Sequence, residues 1–171
     1  MKLDNQQVTE EVRAAWLAAL IDGEGSMAIY PQHANEPSLL THINVSNSDP
    51  RLIATATEII KSWGVGCYNS KFKTRGLDSW RADVRGYKRC LPLLIRLDPW
   101  LISKRAEADI MRRLIEYRLS KPHQYPYSEI EQQLVDQFKT IKHSRHLTDF
   151  VPDPRYYRGE DKVDTISESV D

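Results

Sequence analysis

The sequence predicts an α+β domain in which a helix followed by a pair of strands occurs twice before an all-helical end. Three observations predict it. Residues 9–22 carry a helical period, residues 26–47 and 67–85 each contain two runs of apolar/polar alternation, and helical periodicity resumes at Tyr87. At 171 residues, with 40% hydrophobic side chains, the chain is long enough to bury a core without a disulfide or structural metal.

The first helix is expected from about Thr9 to Asp22, with Thr9 as N-cap and Glu10 and Glu11 in the first turn, where the helix dipole favours anions. At about 100° per residue, Ala14, Ala15, Ala18, Ala19 and Asp22 form one arc and Trp16, Leu17, Leu20 and Ile21 the other. The bulky arc is expected on the chain's own core. The small arc suits close approach by a second helix, although alanines are also simply good helix formers.

Gly23 and Gly25 end this helix, and strands follow at Ser26 to Gln32 and Leu40 to Asn47. In the second strand Ile43 and Val45 alternate with His42, Asn44 and Ser46, which marks one polar sheet face. Asp49 and Pro50 then supply an N-cap and first helical residue, Ile53, Ile59, Ile60 and Trp63 an apolar side, and Gly64 a stop. A second hairpin is expected from Cys67 to Lys73 and Ser79 to Arg85 across a turn at Arg75 to Asp78. There Trp80, Ala82 and Val84 alternate with Arg81, Asp83 and Arg85.

Further helices are expected from Tyr87 to Leu97, with Pro92 tolerated or bending it, and after Ser103, which is expected to cap a helix whose Ala106, Ile110 and Leu114 repeat every four residues. Ser128 and Glu131 form a capping box for a last helix to about Lys142. The globular domain is read as residues 1–150, and residues 151–171 as an acidic, flexible tail without periodicity.

Net charge is zero, yet residues 26–146 hold 19 basic against 12 acidic side chains, an excess masked by acidic ends. Residues 69–89 alone hold seven basic and two acidic groups. The two cysteines, Cys67 and Cys90, lack any CxxC spacing and read as reduced, partly buried thiols. His143 and His146 have no spaced acidic or cysteine partner beyond Asp149, which is weak support for zinc. With no apolar run near the roughly 20 residues of a membrane span and a polar start, a soluble intracellular protein is expected, in cytoplasm or organelle.

The segment Leu17-Ala18-Ala19-Leu20-Ile21-Asp22-Gly23-Glu24-Gly25 resembles the motif of the LAGLIDADG homing endonucleases, departing mainly at Ala19, Gly23 and Glu24. The resemblance covers about residues 9–145 and implies the αββαββα fold, with a curved antiparallel sheet forming a DNA-binding saddle. It implies an intron-encoded type of enzyme, a metal-dependent endonuclease hydrolysing double-stranded DNA at a long pseudo-palindromic site. One motif copy implies a homodimer, whose interface would be Ala14, Ala15, Ala18, Ala19 and Asp22. Packed about a two-fold axis, two such helices would bring both Glu24 carboxylates together, and divalent cations would offset their repulsion.

The resemblance makes Glu24 a ligand of Mg2+, or of Mn2+ or Ca2+ at the same site, with the Gly23 carbonyl as a second donor. Asp22 reads either as a second acid or, preferably, as a structural residue of the interface. Asn47, Arg51 and Lys104 stand where the family carries the polar and basic residues that order water around the scissile phosphates. Glutamine is commoner than Asn47 there, and exposed helix charge is the plainer reading of Arg51 and Lys104.

Two strands paired as a ribbon fit the major groove. The expected reading residues are Tyr30, Gln32, Ser38, His42, Asn44 and Ser46 from the first hairpin, and Asn69, Lys71, Lys73, Arg75, Arg81, Asp83 and Arg85 from the second. Lys139, Lys142 and Arg145 are candidate phosphate contacts. The same basic surface would serve an RNA-binding maturase on this scaffold, or a non-cleaving DNA-binding protein. The acid at Glu24, with Arg51 and Lys104 in place, favours the nuclease.

Overall fold

The computed structural model describes residues 9–31, 39–122 and 128–144. In chain order the elements are α1 (Glu10–Glu24), β1 (Gly25–Pro31), β2 (Leu39–Asn47), α2 (Pro50–Ser62), β3 (Tyr68–Thr74), β4 (Leu77–Arg85), α3 (Tyr87–Leu97), α4 (Arg105–Leu119) and α5 (Glu129–Ser144). The expected αββαββα order and the additional helices are therefore present.

Local chemistry fixes the ends of most elements. The Thr9 hydroxyl accepts the Val12 N–H at 3.3 Å, and Asp49 Oδ1 accepts the Arg51 N–H at 2.9 Å, so α1 and α2 begin at side-chain caps. In α5 the Ser128 hydroxyl accepts the Glu131 N–H at 3.3 Å while Glu131 Oε2 accepts the Ser128 N–H at 3.0 Å. This is the reciprocal capping box, and Arg118 on α4 adds a 3.2 Å ion pair to the fully buried Glu131. Helix α3 runs unbroken through Pro92.

The four strands form one open antiparallel sheet in the order β1-β2-β4-β3. Met27, Ile29, Thr41, Ile43, Val45, Ala82 and Val84 are buried, and all lie on the same face by their pairing. Onto that face pack Leu17 and Ile21 of α1, Ile53, Ile59 and Ile60 of α2, Leu93, Leu94 and Leu97 of α3, and Ile110, Met111 and Leu114 of α4. Ala106 points outward instead, since α4 buries Glu107, Ala108, Ile110 and Met111. Cys67 and Cys90 are free and buried, and burial pushes the Cys90 thiol up to about 11.

The small face of α1 differs from the sequence expectation. Ala14 and Ala18 are buried in the chain's own core beside Leu17 and Ile21, so neither offers a surface to a second helix. Outward face Val12, which is 55% exposed, Ala19 and Gly23, flanked by the half-buried Ala15, Trp16 and Leu20. At 100° per residue the outward strip is rotated roughly 90° from the alanine arc. The buried alanines let α1 sit close to its own sheet. Gly25 records how close: a Cβ there would lie 2.6 Å from the Ile21 carbonyl oxygen and 2.9 Å from that of Asn44.

Candidate active site and nucleic-acid interface

Helix α1 extends through Gly23 and Glu24, two residues further than its periodicity suggested. The Gly25 N–H closes on the Ile21 carbonyl and the chain turns directly into β1. Glu24 is thus an exposed carboxylate on the last residue of a helix, immediately before the sheet. The Gly23 carbonyl has no helical partner to come, because four residues on stands Met27, whose backbone is in β1 opposite Ile43.

Asp22 binds the chain far ahead. Its carboxylate accepts the backbone N–H groups of Ile102 at 2.7 Å, Ser103 at 3.3 Å and Lys104 at 2.9 Å, and the Ser103 hydroxyl at 3.1 Å. It therefore caps α4 from another helix. This corrects the expectation that Ser103 is the cap, since the N-cap position falls on Lys104 with no local side-chain bond. Asp22 thus has a structural role within the chain, a different one from the interface role expected of it.

Lys104 is buried, at 4% exposure, and its ammonium donates to the Asp22 carbonyl oxygen. The amine is so held two residues from Glu24. Asn47 ends β2 two residues beyond Val45, the partner of Gly25, and on the helix side of the sheet. Its Oδ1 accepts the Asp49 N–H at 2.8 Å, and Asp49 in turn pairs with Arg51 at 2.7 Å. The hydrogen bonds from the Arg51 side chain and backbone hold the Asp49 carboxyl at about 2. The Arg51 side chain is 88% exposed, a surface cation held by Asp49. Of the four expected catalytic residues, Lys104 is bonded to Asp22, two residues before Glu24 in the chain, and Asn47 and Arg51 are linked through Asp49.

The sheet's second face is polar. Ser26, Ala28 and Tyr30 of β1 pair with Asn44, His42 and Leu40 of β2, and His42, Asn44 and Ser46 pair with Arg85, Asp83 and Arg81 of β4. At the centre is Asp83, only 2% exposed. Oδ1 meets His42 Nε2 at 2.5 Å and an Arg85 Nη at 3.5 Å, while Oδ2 meets Arg81 Nε at 3.1 Å and the Ser70 hydroxyl at 3.4 Å.

Burial raises the Asp83 carboxyl, but the His42 hydrogen bond and the Arg81 and Arg85 charges outweigh it and leave the group below its ordinary value. Burial lowers His42 and the two arginines add to this, against the opposing pull of Asp83, so the imidazole titrates below its ordinary 6.5. A neutral His42 donating Nε2–H to an ionised Asp83 satisfies both directions.

The register of β3 overturns three expected reading residues. Arg75 and Gly76 both have positive φ, 50° and 84°, making a two-residue turn that sets Thr74 opposite Leu77. Asn69, Lys71 and Lys73 then pair with Ala82, Trp80 and Asp78 on the helix side. Asn69 accepts the Thr57 hydroxyl of α2 at 2.8 Å, and Lys71 lies over the Trp80 ring and bridges Asp78 at 2.7 Å. The polar face instead receives Tyr68, Ser70, Phe72 and Thr74, which the alternation argument missed and the Arg75-Gly76 turn signal could have found.

Lys142 is also committed elsewhere, donating to the Met27 carbonyl at 2.7 Å and docking α5 at the β1 edge, whereas Lys139 is exposed with Asp136 at 3.6 Å. Gln32, Ser38, Arg145 and His146 lie outside the described residues, as do residues 1–8 of the expected domain and the whole of 151–171.

No family model and no curated protein sequence matches the chain. Solved structures do. The homing endonuclease I-CvuI, solved with its DNA target in the presence of calcium, superposes with a TM-score of 0.60 at 17% identity, covering 82% of this chain and 84% of that one. The archaeal intron-encoded homing endonuclease I-Vdi141I, complexed with DNA, gives 0.52 at 11%, covering 79% and 99%. The LAGLIDADG homing endonuclease I-GzeII, with its DNA target, gives 0.55 at 17%, covering 77% of this chain but 44% of that one. The chain has the fold of the LAGLIDADG homing endonucleases. Among the described residues, no helix is long and apolar enough to cross a membrane.

Proposed function

We propose that this chain is a site-specific, magnesium-dependent DNA endonuclease of the LAGLIDADG homing type, acting as a homodimer on double-stranded DNA. The observation that carries the reading is the end of α1: an exposed Glu24 carboxylate, next to a helix-terminal carbonyl at Gly23, with the buried Lys104 amine bound to the same turn. A carboxylate and a carbonyl are hard oxygen donors of the kind magnesium takes.

Among the described residues no three His, Cys, Asp or Glu side chains gather as a metal site. One copy offers Glu24 alone, so a second copy completing the site is the simplest arrangement. The outward strip of Val12, Ala15, Trp16, Ala19, Leu20 and Gly23 supports it, since it runs along α1 and ends at Glu24. A bound divalent cation supplies an activated water and stabilises the leaving oxygen of phosphodiester hydrolysis. Glu24 holds it. Lys104, fixed by the Asp22 carbonyl, supplies positive charge toward the phosphate, and Arg51 adds an exposed cation.

The polar sheet face, with Tyr30, His42, Asn44, Ser46, Arg81 and Arg85, would lie in the major groove, with Arg75 at the hairpin tip and Lys139 toward the backbone. The test is selection from a randomised duplex library incubated with the chain and magnesium. Recovery of one long, two-fold related cleaved sequence supports the proposal; no cleavage of any duplex while RNA is bound tightly would favour the maturase reading.

A further inference from the structure

We propose that Asp83 is a positioning residue for DNA recognition, a buried carboxylate that aims Arg81 and Arg85 at base edges without touching DNA itself. The inference rests on the DNA-binding reading above and assigns the half-site's specificity to one cluster.

An aspartate exposed in the groove could accept a hydrogen bond from cytosine N4. Asp83 is 2% exposed, and both its oxygens are engaged, Oδ1 by His42 and Arg85 and Oδ2 by Arg81 and Ser70. It has neither surface nor a free lone-pair direction to give to a base.

Its partners keep theirs. Arg81 meets the carboxylate through Nε at 3.1 Å, which leaves the two Nη groups, the fork that matches guanine O6 and N7, at the far end of the side chain. The same guanidinium lies 5.2 Å from the Phe72 ring centre, so an aromatic face and a carboxylate together fix its direction. Arg85 is held through one Nη at 3.5 Å and remains about half exposed. The two arginines are four residues apart on one strand face. At about 3.3 Å per residue they reach bases within about four steps of each other.

The charges suggest why an acid sits in a surface meant for a polyanion. Without Asp83, two guanidiniums would repel and each would sample many rotamers, binding phosphate wherever it is found. With it, each is ordered before DNA arrives, which lowers the entropic cost of the specific complex and removes one positive charge from the non-specific one.

The sign of the Asp83→Asn effect separates this role from a purely structural one. Bound duplexes are enriched from a randomised library by the wild-type full-length chain and by Asp83→Asn, Arg81→Ala and Arg85→Ala. In the wild type, two guanine positions per half-site are expected, each lost in one arginine variant. Asp83→Asn should weaken preference at both by about tenfold, while its affinity for a random-sequence duplex stays equal or rises. Combining Asp83→Asn with Arg81→Ala should add little further loss at the Arg81 position.

An Asp83→Asn profile identical to wild type overturns the inference, as does a parallel fall in specific and non-specific binding. If Asp83→Asn does not fold, the arginine variants decide: profiles in which neither loses a guanine overturn it. A wild-type chain that enriches no duplex overturns the DNA reading and this inference with it, whereas enrichment untouched by Asp83→Asn overturns this inference alone.

Discussion

The Asp22 carboxylate accepts the Ile102 and Lys104 backbone N–H groups at 2.7 and 2.9 Å, so the motif helix caps α4, which begins at Arg105 far along the chain. The cap ties the backbone that carries Lys104 to the helix end that carries Glu24. Replacing Asp22 by Ala should cost about 2 kcal/mol of stability, the scale of hydrogen bonds to a charged group. Cleavage should fall more than DNA affinity, because the backbone that carries Lys104 loses its carboxylate anchor, although the Asp22 carbonyl that accepts from the amine remains, while the sheet face is untouched. Denaturant unfolding and parallel binding and cleavage assays check this.

The outward strip of α1 gives a paired prediction. Ala19→Glu should yield a folded monomer without cleavage, since it puts charge into the apolar surface beside Trp16 and Val12. Ala18→Phe should instead destabilise the chain by about 1–3 kcal/mol or more through overpacking, because Ala18 is fully buried. Sedimentation equilibrium and thermal melts separate the two outcomes. A dimeric Ala19→Glu variant would mean the strip is not the interface.

These two sites show where sequence reasoning succeeds and stops. Thr9, Asp49 and the Ser128/Glu131 box were legible because a cap is a local device, and Leu17 and Ile21 because a bulky arc must be buried. Ala14 and Ala18 were misassigned because α1 is apolar on nearly all sides, so size alone did not say which arc meets the sheet. Strand β3 failed for the opposite reason. It is an edge strand exposed on both faces, so its alternation carries no inside or outside, and only the Arg75-Gly76 turn fixes its register. The Asp22 cap joins segments 80 residues apart and has no local signature.

The buried His42–Asp83 pair sets a pH dependence. His42 has its folded value below 6.5, so in the unfolded chain it takes up a proton more readily than in the fold. Its contribution is fully present above about pH 6.5 and is lost as pH falls through the folded value. Asp83, also lowered, acts with the same sign at lower pH, present above its ordinary 3.8 and lost below. The melting temperature should therefore fall as pH drops from 7 to 5, with Arg81 and Arg85 the charged neighbours opposing protonation of His42. His42→Gln should flatten the upper part of that fall; an unchanged slope would remove His42 as its cause.

Gly25→Ala should impair folding and cleavage together. Its Cβ would lie 2.6 Å from one backbone oxygen and 2.9 Å from another, so α1 must move off β2 and carry Glu24 with it. By contrast Gly23, which has open space around its Cβ position, should accept Ala with the monomer's stability retained. Circular dichroism melts of the two variants make the comparison.

The most direct test of the central claim is cleavage by Glu24→Gln on the duplex selected by the wild type. The substitution keeps size and hydrogen bonding but removes the anionic ligand. DNA affinity should stay within about threefold of wild type, since Glu24 ends α1 and is not one of the reading residues of the sheet face, while magnesium-dependent cleavage should be lost. Cleavage at the wild-type rate by Glu24→Gln would contradict it.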